Sequence, residues 1–373
     1  MSAAAAGSSA PRIHQYVAAL LAAAVAGLVV AAPALAHGGP TPDEPGPFFV
    51  LTDWSFDPLT QLLLLGPAAL YLLAVRAVDR AHPGNRVPRA RTAAWLGGIL
   101  ALELALASGI ERYDTTLFSV HMVQHILLTL VAAPLLVLGA PITLVLRVAS
   151  PSVRRRWILP VLHSRPVRIL GHPIVAWILF TVVMWGSHLT PMFDAALEDE
   201  LLHRLEHALY LSTALLFWWP VVGVDPSPYR MSYPARILYL LLQMPTNTFL
   251  AVLVYSAVEP WYPHYVTTGR TWGPSPLLDQ QAAGAIMWVW GDLAFLVAGL
   301  LMVAAWWRDE ERRAARTEGR PDPALQAIRE REVALAARLA AEREAAGQAP
   351  SPAPSPDAPP GSSGQAEGSG ASR

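Results

Sequence analysis

FSVHMVQHILLTLVAAPLLVLGAP, residues 118–141, is an apolar run long enough to cross a bilayer, and it opens with His121 and His125. A spacing of four puts both imidazoles on one face of a helix, one turn apart. Polar, metal-competent groups at the mouth of a hydrophobic helix are costly, so they ask for a functional partner. Further along the run, Pro134, Gly139 and Pro141 predict a bend or an end near Gly139, followed by an interfacial stretch toward Arg147.

Outward from this run the same character repeats. The chain has 373 residues, of which 53% are hydrophobic and 15% charged, and its mean hydropathy is positive. Seven apolar segments, at about 59–78, 92–110, 118–140, 172–190, 203–222, 235–258 and 281–307, predict an all-α polytopic membrane helix bundle with seven transmembrane helices. Before them, Arg12, the run Val17–Ala32 and the small residues Ala34-Leu35-Ala36 read as a signal peptide over 1–36, cleaved ahead of His37. Left uncleaved, the run is an extra membrane helix. Residues 37–57 then form an extracytoplasmic N-terminal segment, and 58–307 the membrane domain. The Arg/Glu/Ala-rich stretch 308–346 reads as a charged cytoplasmic helical segment, and the Pro/Ser/Gly-rich 347–373 as a disordered tail. The chain has no cysteine, which excludes disulfides, thiolate metal sites and thiol catalysis. Any transition-metal site must use His, Met and carboxylates.

Arginine asymmetry predicts the orientation. The loop after the first segment holds Arg76, Arg80, Arg86, Arg89 and Arg91. The loop after the third holds Arg147, Arg154, Arg155, Arg156, Arg165 and Arg168. Arg230 and Arg236 follow the fifth, and Arg308, Arg312, Arg313 and Arg316 follow the last. The alternate loops hold single arginines, Arg112, Arg204 and Arg270. Both sets agree on a mature N-terminus outside and a C-terminus in the cytoplasm.

This topology gives each histidine a side. His82, His163 and His172 fall among the cytoplasmic arginines. His121 and His125, His188, and His203 and His207 occupy the outer ends of three consecutive helices, with His264 in the last outer loop. Two His-x-x-x-His pairs on separate helices are a reasonable way to build a metal site in a bundle. Met122 and Met192 could add the soft thioether that Cu(I) favours, and Glu206 could ligate or hold an imidazole in its tautomer. The alternative is that these histidines simply meet headgroups and water. His37, at a cleaved terminus, could chelate Cu(II) with its free amine.

Glu103, Gln243, Asn247 and Asp292 are intramembrane polar groups. They either line a path for an ion or proton or fix helix packing by hydrogen bonds. Pro245, between Gln243 and Asn247, predicts a kink. His203-Arg204-Leu205-Glu206-His207 matches the inverted zinc-protease pattern, but no soluble catalytic domain surrounds it, and we reject that reading. No Gly-rich phosphate loop is present to power an ATP-driven pump, and no nucleic-acid partner is expected.

FSVHMVQHILLTLVAAPLLVLGAP, HPIVAWILFTVVMWGSHLTPMFD at 172–194 and LLHRLEHALYLSTALLFWWPVVG at 201–223 resemble the CtaG family of bacterial cytochrome c oxidase assembly proteins, as do LLQMPTNTFLAV at 241–252 and DQQAAGAIMWVWGDLAFL at 279–296. The resemblance implies a multi-pass protein of the bacterial plasma membrane that helps mature haem–copper oxidase, with oxidase subunits or other assembly factors as partners. Carried over by position, it makes His121, His125, His188, His203 and His207 the copper-handling candidates. The expected function is non-enzymatic: copper bound transiently on the outer side and delivered to the oxidase. The rivals are a haem-binding redox protein, with histidines as axial ligands, and a copper or proton permease using Glu103, Asn247 and Asp292.

Overall fold

The computed structural model describes residues 41–318 and 323–347, which are helical with no strand among them. The proposed signal peptide and its cleavage site, His37, and residues 348–373 of the tail lie outside the described residues. Contacts divide the chain after Trp307. In the first unit the main helices are α1 Pro58–Ala81, α2 Arg89–Leu106, α3 Gly109–Tyr113, α4 Phe118–Ile126, α5 Ala133–Leu138 and α6 Pro141–Val148. They are followed by α7 Pro173–Leu189, α8 Met192–Glu198, α9 Glu200–Val222, α10 Tyr233–Tyr255 and α11 Pro263–Thr267, and by α12, which runs Pro276–Glu318. The second unit contains α13, Pro323–Gly347, along which the described side chains are exposed.

Five stretches, Pro58–Ala81, Arg89–Tyr113, Phe118–Val148, Tyr233–Tyr255 and Pro276–Arg316, are each long and apolar enough to span a membrane. Pro173–Leu189 joined to Met192–Glu198, bent by 72°, makes a sixth if the pair counts as one. The fifth expected segment is the helix Glu200–Val222. Its 23 residues reach about 34 Å, but its first turns carry Glu200, His203, Arg204, Glu206 and His207, so its apolarity falls short of the others.

In lipid the packing of helix on helix rests on close approach and internal hydrogen bonds rather than on escape from water. Gly284 meets the α10 backbone so closely that a Cβ there would lie 2.6 Å from the Tyr255 nitrogen. A Cβ at Gly291 would lie 2.5 Å from Asn247 Nδ2. That approach lets Asn247 donate to the Met287 carbonyl at 3.2 Å and to Asp292 Oδ1 at 3.1 Å. Thr248 Oγ1 donates to the other Asp292 oxygen at 2.5 Å. Gln61 Nε2 donates to Glu103 at 3.0 Å, joining α1 to α2. Thr181 Oγ1 donates to Gln243 Oε1 at 3.2 Å, joining α7 to α10. All four intramembrane polar groups thus make interhelical hydrogen bonds. Helix α10 runs unbroken through Pro245, and Trp185 Nε1 takes up the Thr246 carbonyl at 3.2 Å.

The run that begins at Phe118 is not one α-helix. Between α4 and α5 lies a π-helical turn, Leu127–Ala132, in which the Ala133 N–H reaches back five residues to the Leu128 carbonyl. The Thr129 carbonyl therefore loses its α-helical donor. Its π-helical donor would be residue 134, a proline without an N–H. Trp218 of α9 satisfies it instead, with Nε1 donating at 2.8 Å. The expected break at Gly139 is present. Helix α5 ends at Leu138, Tyr71 donates to the Gly139 carbonyl at 2.7 Å, and Ala140 takes a left-handed φ of 52°. Helix α6 then starts from a cap supplied across the bundle, where Asp225 accepts from the Ile142 and Thr143 amides.

Candidate metal centre

Two helix starts fix the positions of the paired histidines. Leu117 precedes α4 and offers no side-chain cap. The cap comes from Asp279 of α12, which accepts the Phe118 N–H at 2.7 Å and the Ser119 hydroxyl at 2.5 Å. Helix α9 is capped locally, with Asp199 Oδ1 accepting the Leu202 N–H at 2.9 Å. Arg204 then bridges Glu200 at 2.5 Å and Asp57 at 3.3 Å, which ties α9 to the start of α1. Burial alone would raise the Asp57 carboxyl. Hydrogen bonds from Thr60 and the Arg204 guanidinium outweigh it and hold the group below its ordinary value.

With these starts fixed, the two i,i+4 pairs meet in the interior. His121 and His125 place their Nε2 atoms 2.9 Å apart, and His203 and His207 place theirs 3.0 Å apart. Ring centroids of His121 and His203 are 5.3 Å apart, and those of His125 and His207 5.9 Å. Glu206 Oε2 lies 3.9 Å from His121 Nε2. Ligand atoms of His121, His203 and His207 lie within 4.8 Å of one another, and so do those of His121, His125 and Glu206. All five residues are buried, His121 completely. Neither Glu206 oxygen has a hydrogen-bond partner among the described residues, which is unusual for a buried carboxylate and calls for an ion or water. Two imidazole nitrogens about 3 Å apart can both bind one ion at about 2.0–2.1 Å, so the spacing suits a shared metal.

Phe193 covers this group. Helix α7 breaks at Thr190-Pro191, and the 72° bend lays α8 across the site. The Phe193 ring, fully buried, sits 4.9 Å from His121 and 5.4 Å from His188. His188 itself stands just outside the four-ring group, 6.4 Å from His125. Its Nδ1 donates to the Met184 carbonyl at 2.7 Å, so Nε2 carries the lone pair.

Other expected ligands separate. Met122 is buried beside the site. Met192, at the start of α8, is 46% exposed and does not join the buried group. His264 is a tether: Nε2 bonds the Thr115 carbonyl at 2.9 Å, and its backbone N–H donates to Asp194. The sequence reading missed Asp114, which is 1% exposed and lies 3.3 Å from His203 Nε2. It also missed Glu111, which accepts from Gln124 Nε2 at 2.7 Å. Both acids lie in ERYD, residues 111–114, between the expected segments 92–110 and 118–140 in the loop credited with Arg112. An acid seven residues ahead of His121 was the available signal.

The family described as cytochrome c oxidase caa3 assembly factor matches residues 69–309. The chain belongs to that family. The match takes in α2 through α11 and every histidine of the centre. Uncharacterized proteins of Mycobacterium bovis and Mycobacterium tuberculosis are each 34% identical to this chain over 288 residues, and one from Mycobacterium leprae is 32% identical over 290. In each case 75% of this chain aligns with 43% of the relative, so the chain spans less than half the length of these curated relatives. No solved structure matches it.

Proposed function

We propose that this multi-pass assembly factor binds copper at the centre formed by His121, His125, His203, His207 and Glu206, and hands it to haem–copper cytochrome c oxidase during assembly. The observation that carries the reading is two i,i+4 histidine pairs on different helices that meet at His121, whose ligand atom lies within 4.8 Å of those of His203 and His207 in one group and of those of His125 and Glu206 in another, with a Glu206 carboxylate that has no hydrogen-bond partner among the described residues. Imidazole and carboxylate, with no thiolate, make an exchangeable set that suits transfer better than storage. The role is non-enzymatic, and the partners are oxidase subunits or other assembly factors. Seven crossings, with the N-terminus outside and the C-terminus in the cytoplasm, put the histidines on the extracytoplasmic side of a bacterial plasma membrane. The arginine asymmetry supports that orientation.

The haem alternative fits less well, because imidazoles at hydrogen-bonding distance leave no gap for a porphyrin between them. The permease alternative loses support from Asn247, Thr248 and Asp292, which satisfy one another between α10 and α12.

Anaerobic Cu(I) titration of the purified chain, beside a His121→Ala/His125→Ala/His207→Ala variant, tests the centre. Stoichiometric binding that the triple change abolishes is expected. Equal binding by both proteins, or none by either, returns the histidines to a structural role. The cysteine-free sequence makes sidedness directly measurable. In intact cells a membrane-impermeant maleimide should label Thr190→Cys and spare Arg165→Cys, and the reverse pattern overturns the orientation.

A further inference from the structure

Beside the histidine centre, one step further into the bundle, lies a cavity of about 30 Å³. Three methionines line it, Met122 from α4, Met184 from α7 and Met287 from α12, together with His125, His188 and Asn247. The methionines are 2–8% exposed and His188 is 3% exposed. His188 Nε2 has no hydrogen-bond partner among the described residues, and neither has His125 Nδ1. His188 is held with that nitrogen unprotonated, since Nδ1 is committed to the Met184 carbonyl. The volume admits one water-sized occupant.

Two partnerless imidazole nitrogens around a cavity would suit a water molecule. Three methionines lining it from three helices would not, because sulfur is a poor hydrogen-bond acceptor. Thioether and imidazole together are the soft donor set that selects Cu(I) over Zn(II) or hard cations. His125 belongs to both sites, pairing with His121 through Nε2 and bordering the cavity.

We propose that this cavity is a second, softer copper site, in which His188 Nε2 and the Met122, Met184 and Met287 thioethers take Cu(I) from the histidine centre by way of His125. The inference rests on the copper reading above and adds a second station with different chemistry. No redox change is involved. The ion exchanges nitrogen ligands for sulfur ligands, and no bond within the protein is made or broken.

The test uses the full chain in nanodiscs under anaerobic conditions, with Cu(I) supplied from a competing chelator and Cu K-edge X-ray absorption read at one and two equivalents. Wild type should take a second equivalent that brings sulfur scattering. Met122→Leu/Met184→Leu/Met287→Leu, which conserves volume, should lose that equivalent and the sulfur shell while keeping the nitrogen-bound ion. His188→Gln should weaken the second equivalent at least tenfold and leave the first unchanged, which serves if the triple variant does not fold. A wild type that binds one equivalent with nitrogen scattering alone overturns the second site and leaves the histidine centre standing. So does a second equivalent indifferent to both variants. No Cu(I) bound by wild type removes both.

Discussion

Asp114 Oδ2 stands 3.3 Å from His203 Nε2, both side chains almost completely buried. The carboxylate thus faces a nitrogen that would also bind the metal. With metal bound there, it would place a negative charge beside the ion. Asp114→Asn keeps the shape and removes the charge. Cu(I) affinity should fall by about 10–100-fold, read by chelator competition, with helicity unchanged by circular dichroism. Unchanged affinity would make the carboxylate a packing group only.

Phe193 closes the centre from the α8 side. Phe193→Ala should cost about 3–5 kcal/mol of stability, the usual range for emptying a buried aromatic site. It should also speed loss of bound Cu(I) to a chelator, because water gains access to the imidazoles. Phe193→Leu should restore most of the stability and part of the slow exchange. Equal release rates in all three proteins would remove the cover from the account.

Trp218 donates to the Thr129 carbonyl, whose π-helical donor would be the proline at 134. Trp218→Phe leaves a buried carbonyl unsatisfied, at a cost of about 1–3 kcal/mol. Thermal unfolding in detergent reads the loss. Hydrogen exchange should rise at Leu127–Ala133 first, since the π-helical turn depends on that bond.

Asp57 gives a pH dependence with a defined sign. Its folded value lies below the unfolded one, so its contribution is complete at neutral pH and is lost as pH falls through the folded value. The stability difference between wild type and Asp57→Asn should be largest above about pH 4, the unfolded carboxylate value, and close at lower pH. A difference that stays constant into strong acid would show that the Thr60 and Arg204 contacts contribute nothing through charge.

Much of this was legible in the sequence. Apolar runs place the helices, and the i,i+4 spacing puts His121 with His125 and His203 with His207 on shared faces, because helical geometry is local. That the two pairs meet depends on which helices pack together, and the 72° break that seats Phe193 depends on what lies beneath it. Neither is encoded in the spacing of one segment. Asp114 was missed for the same reason: its role comes from a residue 89 positions away in the chain, His203. Asp279 and Asp225, each capping a helix distant in the chain, were equally invisible. Glu103, Gln243, Asn247 and Asp292 were recognisable as polar, but the sequence could not say whether they form a path or a set of fastenings. Their partners favour the fastenings.

The π-helical turn also governs which way the histidines face. Along α4, the turn and α5, buried residues come in pairs: 121 and 122, 124 and 125, 128 and 129, 132 and 133, 136 and 137. From the pair at 124 to the pair at 136 the repeat is four residues. A regular α-helix would swing its inward face by about 120° over that length, and the one extra residue held in a π turn takes back about 100°. The turn therefore acts as a gear between two halves of one span, keeping the imidazoles and the aliphatic surface below them on the same side. Deleting a single residue from 127–132 would shorten the helix by very little. It would turn either His121 and His125 or Leu136 and Val137 away from α9 toward the lipid. A length change that a loop would absorb is here a rotation of the candidate metal site.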